Sequence, residues 1–420
     1  MKKKHKFSSF LKWLYPGMRF KRWAFLSLLG IILIMVGVSG LIRYSGSFAS
    51  VVTYVFYANI ILGISLVALG FKNMMTSVIS LLVPFKQGHL VDLMYQKSRL
   101  AQGPKILAIG GGTGLSVLLQ GIKHYTHNIT AVVTVADDGG SSGRLRQQFD
   151  MVAPGDIRNC LVALANEETM MRELFQYRFK KDTEFSGHSF GNLFLTAMTQ
   201  VTGDFEKAIK ESSKVLSIRG RVLPSTLEKV VLVAEHADGR VTEGEAKIPH
   251  TDSPIKKIFI RPQDAAAAHD VIRAIEEAEL IILGPGSLYT SIIPNLLIKE
   301  IREAVMASEV SKIYVCNIMT QPGETDRFKA SDHIKELVEH TDPKVLDACI
   351  VNVGKIPENM LTKYASENSV PVVADSQVIK DFGYGVIEED LVSVTDHVRH
   401  DSVKLSKIIA NLLNLEKRSK

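Results

Sequence analysis

KILAIGGGTGLSVLLQGI, residues 105–122, decides the fold. Its first five residues form an apolar run that breaks off into glycines, and GGTGLSVLLQGI then carries apolar residues at helical spacing. A second apolar run, TAVVTVA (130–136), ends in Asp137-Asp138. Downstream, KKIFI (256–260), ELIIL (279–283), KIYVCNI (312–318), ACIVNV (348–353) and VPVVA (370–374) read as further strands. Helical stretches such as DIRNCLVALA (156–165) and AAAAHDVIRAIEEA (265–278) separate them, and KVVLVAEHADGRVTEGEAKI (229–248) reads as a hairpin turning at Asp238-Gly239. Strands alternating with helices imply an α/β fold, a mostly parallel sheet with helices on both faces, occupying residues 105–420. No internal repeat or low-complexity tract interrupts it.

The preceding residues have another texture. Residues 23–42 (WAFLSLLGIILIMVGVSGLI) and 51–71 (VVTYVFYANIILGISLVALGF) are uncharged and long enough to cross a bilayer as helices. Only RYSGSFAS lies between them, enough for a transmembrane hairpin turn. The basic segment 1–22 holds eight Lys and Arg and no acid, Lys and Arg recur after the second span, and Arg43 alone lies between the two. The positive-inside rule therefore places both ends in the cytoplasm and the chain in the cell membrane. Ser47-Phe48-Ala49 loosely resembles a signal cleavage site, but a second span follows at once, which favours an anchor. Residues 72–104 read as a juxtamembrane linker or an interfacial helix. The net charge of +6 belongs to these flanks, since residues 105–420 are net acidic at −6, which argues against nucleic-acid binding. Cys160, Cys316 and Cys349 are widely spaced and odd in number, so they read as buried small side chains in a reducing compartment.

Gly110, Gly111, Gly112, Thr113 and Gly114 stand between a strand and a helix, where glycines let the backbone approach an anion and the helix N-terminus offers free N–H groups. Leu115 breaks the dinucleotide pattern G-x-G-x-x-G, which disfavours an NAD-dependent oxidoreductase, and the absence of Gly-Lys-Ser/Thr excludes a Walker A loop. Asp137 and Asp138 close the second strand, where a carboxylate accepts from a ribose hydroxyl or holds Mg²⁺. Ser141, Ser142 and Arg144 follow in a second small-residue loop. His188 is a candidate general base in GHSFGN, although an isolated histidine more often serves structure, and Asn192 is a base or sugar contact. Gly284, Gly286 and Ser287 repeat the strand–glycine–helix logic after ELIIL. No nucleophile–base–orienter set is legible, so catalytic residues and dedicated metal ligands stay unassigned.

GGGTG, ADDGGSSGRLR, APGDIRNCLVAL, SGHSFGNL, GPGSLYTSIIPNL and CNIMTQPGET, in that order, resemble the CofD/YvcK-like family, which includes 2-phospho-L-lactate transferases and bacterial gluconeogenesis factors. VADDGGSSG and VRHDSVKLSKIIANLL resemble the gluconeogenesis-factor branch. The resemblance implies a Rossmann-like fold, binding of a UDP-sugar such as UDP-N-acetylglucosamine, and a role in carbon flow into the cell envelope and in cell shape. It implies ligand contacts at Tyr364, whose ring stacks on a base or sugar, and Arg399, whose guanidinium pairs with a diphosphate. Envelope-synthesis proteins and a second copy of the chain are its implied protein partners. The alternative it carries is an enzyme moving a phospholactyl group from a nucleoside diphosphate to a deazaflavin.

Overall fold

The computed structural model describes residues 20–43, 51–82, 98–166, 170–180, 184–394 and 398–413. The chain divides into two compact units, Met1–Tyr95 and Gln96–Lys420. Most of the basic segment 1–22, the turn at 44–50 and the later linker at 83–97 lie outside the described residues.

Among the described residues, the first unit contains two helices, Phe20–Arg43 and Val51–Leu82. Their candidate membrane spans, Arg22–Arg43 and Val51–Ser77, run 22 and 27 residues, or about 33 and 40 Å of helix. The second helix passes Phe71 and takes in the first part of the segment read as linker. The two helices pack closely at paired glycines: a Cβ on Gly30 would stand 2.6 Å from the Gly63 carbonyl oxygen, and one on Gly63 2.6 Å from that of Gly30. Large apolar side chains such as Phe25, Met35, Tyr54 and Ile61 face outward, without protein cover.

Among its described residues the second unit has twelve strands, in chain order β1 Ile106–Gly110, β2 Ile129–Val133, β3 Arg221–Pro224, β4 Val231–His236, β5 Val241–Glu243 and β6 Ile255–Arg261, then β7 Leu280–Leu283, β8 Lys312–Val315, β9 Ala348–Asn352, β10 Gly385–Glu389, β11 Val392–Val394 and β12 Val398–His400. Seven of them form one sheet in the order β10-β9-β8-β7-β1-β2-β3, and every neighbouring pair is parallel. The α/β fold is thus present, with its central strands buried throughout. A parallel strand needs a crossover, and helices such as Gly112–Ile122, Gly155–Leu164 and His269–Glu276 supply it.

The strands differ from the sequence reading in three respects. KKIFI belongs to β6 and pairs antiparallel with β4 in a separate three-stranded sheet. VPVVA forms no strand: Pro371, which lacks an N–H, makes one isolated bridge to Met319. The main sheet ends instead at β10 (GVIEE) and β3 (RVLP), edge strands whose charged residues and proline hide them from a search for apolar runs. Cys160, Cys316 and Cys349 are buried and free.

Candidate functional site

The strand order reverses at β1: β2 and β3 follow on one side, β7 to β10 on the other. Loops leaving the carboxyl ends of β1 and β7 therefore diverge, and open α/β sheets bind ligands in that crevice. A cavity of about 490 Å³ occupies it, within the size range of small-molecule sites.

Gly111 to Gly114, at the mouth of helix Gly112–Ile122, form one wall. Gly111 is the N-cap and offers no side chain to the first-turn N–H groups. A Cβ on it would stand 2.6 Å from Asp156 Oδ2, and one on Gly114 2.5 Å from the Pro285 carbonyl oxygen. These glycines are thus set by the approach of two neighbouring loops. Gly110 lies outside the cavity lining: its carbonyl accepts from the Thr134 N–H at 2.9 Å and Asn295 Nδ2 at 3.2 Å.

From the β7 loop, Gly286 and Ser287 reach the cavity, whereas Gly284 makes the turn at φ +82°. The Ser287 hydroxyl accepts from Thr290 Oγ1 at 2.8 Å and donates to the Glu324 carboxylate. Tyr364 and Arg399 both line the same cavity as the glycine loops. The Tyr364 hydroxyl accepts from the Val398 N–H at 2.9 Å. Among the described residues the Arg399 guanidinium has no ion-pair partner. Asn317, Thr320, Gln321 and His400 complete the polar wall.

The other expected residues are not part of the cavity lining. Asp137 Oδ1 accepts from the Gly139 N–H and Asp138 Oδ1 from the Ala246 N–H, both at 2.9 Å, so each holds a loop. Ser141, His188 and Asn192 form a buried network: the Ser141 hydroxyl is 3.0 Å from His188 Nδ1, and Asn192 Nδ2 donates to that hydroxyl at 3.0 Å. Burial, then Arg144, pulls the His188 pKa down. Ser142 is buried nearby, and Arg144 donates to the Ser186 carbonyl at 2.8 Å.

Three carboxyls that the sequence did not single out dominate the electrostatics. Burial, and then Asp137, pushes the Asp156 pKa up to about 7, against a hydrogen bond from the Gly112 N–H. Glu245 lines the cavity and is pushed up to about 8 by burial and by the surrounding Asp137, Glu324, Asp156 and Asp138. Glu324 is raised to about 7, chiefly by burial. An anion entering here meets acids that hold their protons near neutral pH more readily than free carboxyls do. Among the described residues no three His, Cys, Asp or Glu side chains converge to hold a metal. A protein-only Mg²⁺ cage is therefore not built into these residues, and Mg²⁺ in such sites is bound mainly through substrate phosphates and one or two carboxylates.

Comparison with known proteins agrees with this architecture. Residues 106–392 match the family described as 2-phospho-L-lactate transferase CofD. A putative gluconeogenesis factor of Clostridium acetobutylicum is 45% identical over 96% of this chain and 92% of its own. The gluconeogenesis factor of Bacillus subtilis is 49% identical over 75% of this chain and 99% of its own. A crystal structure of a UPF0052 family member from Bacillus halodurans superposes with a TM-score of 0.71 at 45% identity, covering 73% of this chain and 99% of that one. The chain belongs to the CofD/YvcK-like family and groups there with the gluconeogenesis factors.

Proposed function

We propose that the chain is a membrane-anchored gluconeogenesis factor that binds a UDP-sugar, such as UDP-N-acetylglucosamine, and regulates carbon flow into envelope synthesis and cell shape. The observation that carries the ligand class is one cavity lined both by a glycine-rich helix N-terminus, whose N-cap residue offers no side chain, and by Tyr364 with Arg399, which has no ion-pair partner among the described residues. Phosphates suit the helix N-terminus and guanidinium, while a nucleobase or sugar suits the aromatic wall. The raised carboxyls belong to the same reading: they accept the ligand protonated, or share a Mg²⁺ with its phosphates. The anchor rests on the two apolar helices with uncovered outer faces. Regulation of envelope enzymes and self-association are the functional extensions of this proposal.

Isothermal calorimetry of the full chain in detergent micelles, titrated with UDP-N-acetylglucosamine with and without Mg²⁺, tests it. Saturable binding with the sugar nucleotide recovered unchanged supports a sensor. The transferase reading is favoured by the family match and by proton-holding carboxyls beside the cavity. Binding of a deazaflavin, with consumption of a phospholactyl nucleotide, would establish that reading and overturn the sensor.

A further inference from the structure

Arg399 lies on β12, a strand of only three residues whose ladder partner is β11, outside the main sheet. A ribbon this small has marginal stability in water, so its ladder alone does not fix a guanidinium at a cavity wall. Side chains from elsewhere make the connection. On one side of Arg399, the Val398 N–H donates to the Tyr364 hydroxyl at 2.9 Å. On the other, His400 Nε2 donates to the Cys316 carbonyl at 3.0 Å. Cys316 directly follows β8, and its own N–H donates to the β9 carbonyl of Ile350 at 3.0 Å, so this anchor point belongs to the main sheet. Val398 and His400 are buried and Arg399 between them is exposed, as strand alternation requires.

We propose that His400 is a positioning residue: together with the Tyr364 hydroxyl it straps β12 to the sheet and so holds the Arg399 guanidinium at the cavity for a phosphate-bearing ligand. The Cys316 carbonyl only accepts, so His400 Nε2 carries the proton. Burial lowers the His400 pKa to about 4, so the ring is neutral through the physiological range and the strap does not switch with pH there. Tyr364 acquires a second role besides any ring contact, since its hydroxyl is committed to backbone. The strap itself is independent of ligand identity; its consequence for affinity rests on the cavity being the ligand site proposed above.

The test has two arms on the full chain in detergent. Hydrogen–deuterium exchange needs no ligand: His400→Ala and Tyr364→Phe should each accelerate exchange of the Val398 and Arg399 amides while leaving β8 and β9 protected. His400→Gln, which keeps a donor, should restore much of the protection. Calorimetry with UDP-N-acetylglucosamine reads the consequence. Arg399→Ala weakens binding about ten- to hundred-fold, the loss expected for a charge-assisted hydrogen bond. His400→Ala should weaken it by about ten-fold, and His400→Ala combined with Arg399→Ala should bind no more weakly than Arg399→Ala alone. Unchanged amide exchange in His400→Ala overturns the strap. Multiplicative losses in the double variant overturn the positioning role and make His400 an independent ligand contact. A wild-type chain that fails to bind the probe refutes the UDP-sugar reading, and the exchange arm still decides the strap.

Discussion

Gly112 is the position at which strain and ligand access separate most cleanly. Its φ is +63°, and an added Cβ would meet only Ser291 Oγ, at 3.6 Å, itself part of the cavity lining. Alanine therefore fits sterically and costs mainly the left-handed backbone, about 1–2 kcal/mol. In a domain of this size that lowers the melting temperature by a few degrees at most. Asparagine tolerates this conformation better than alanine, while valine tolerates it worst. Stability should accordingly fall in the order glycine, asparagine, alanine, valine. Affinity should follow another order, because every side chain here projects into the cavity: alanine weakens UDP-N-acetylglucosamine binding, and the larger asparagine weakens it further despite its better stability. Differential scanning calorimetry and isothermal titration on the same preparations measure both orders. A Gly112→Asn variant that binds like wild type, or stabilities that simply track side-chain size, would refute this account of the loop.

Other consequences are equally concrete. Asp156, Glu245 and Glu324 have folded-state pKa values raised to about 7, 8 and 7. Between about pH 4 and 8 the folded state thus binds more protons at these groups than the unfolded chain, and their contribution to stability falls as pH rises through that window. Glu245→Gln should raise the melting temperature clearly more at pH 8.5 than at pH 5.5, where the folded-state carboxyl is still protonated and only part of the penalty has accrued; equal shifts at both would refute the assignment. Gly114→Ala places a Cβ 2.5 Å from the Pro285 carbonyl oxygen, so it should destabilise the unliganded domain by about 1–3 kcal/mol, read as a lowered denaturant midpoint. Reporter fusions within residues 43–50 and at Lys420 should fall on opposite sides of the membrane, and finding both on one side excludes the hairpin topology.

Elements that depend on local pattern were legible in the residues alone. KILAI followed by glycines specified β1 and the helix after it, because a β-branched run, a glycine turn and a helical period each act within a few residues. The two apolar segments were equally plain, since length and lack of charge suffice. Edge strands β3 and β10 were not: an arginine and a proline bracket the short apolar pair of β3, and two glutamates end β10, so neither shows an apolar run. Tertiary structure alone decided which glycine loops share a cavity. It joined the loops after β1 and β7, neighbours in the sheet though about 170 residues apart, and left Ser141 and Asn192 in a separate buried network. It also buried Asp156, Glu245 and Glu324, raising their pKa values chiefly by desolvation, with Asp137 adding to the shift at Asp156 and Asp137, Glu324, Asp156 and Asp138 adding to that at Glu245, a setting that no short window contains. His400 shows the same limit: its significance lies in one hydrogen bond to Cys316, 84 residues away in the chain and 3.0 Å away in space.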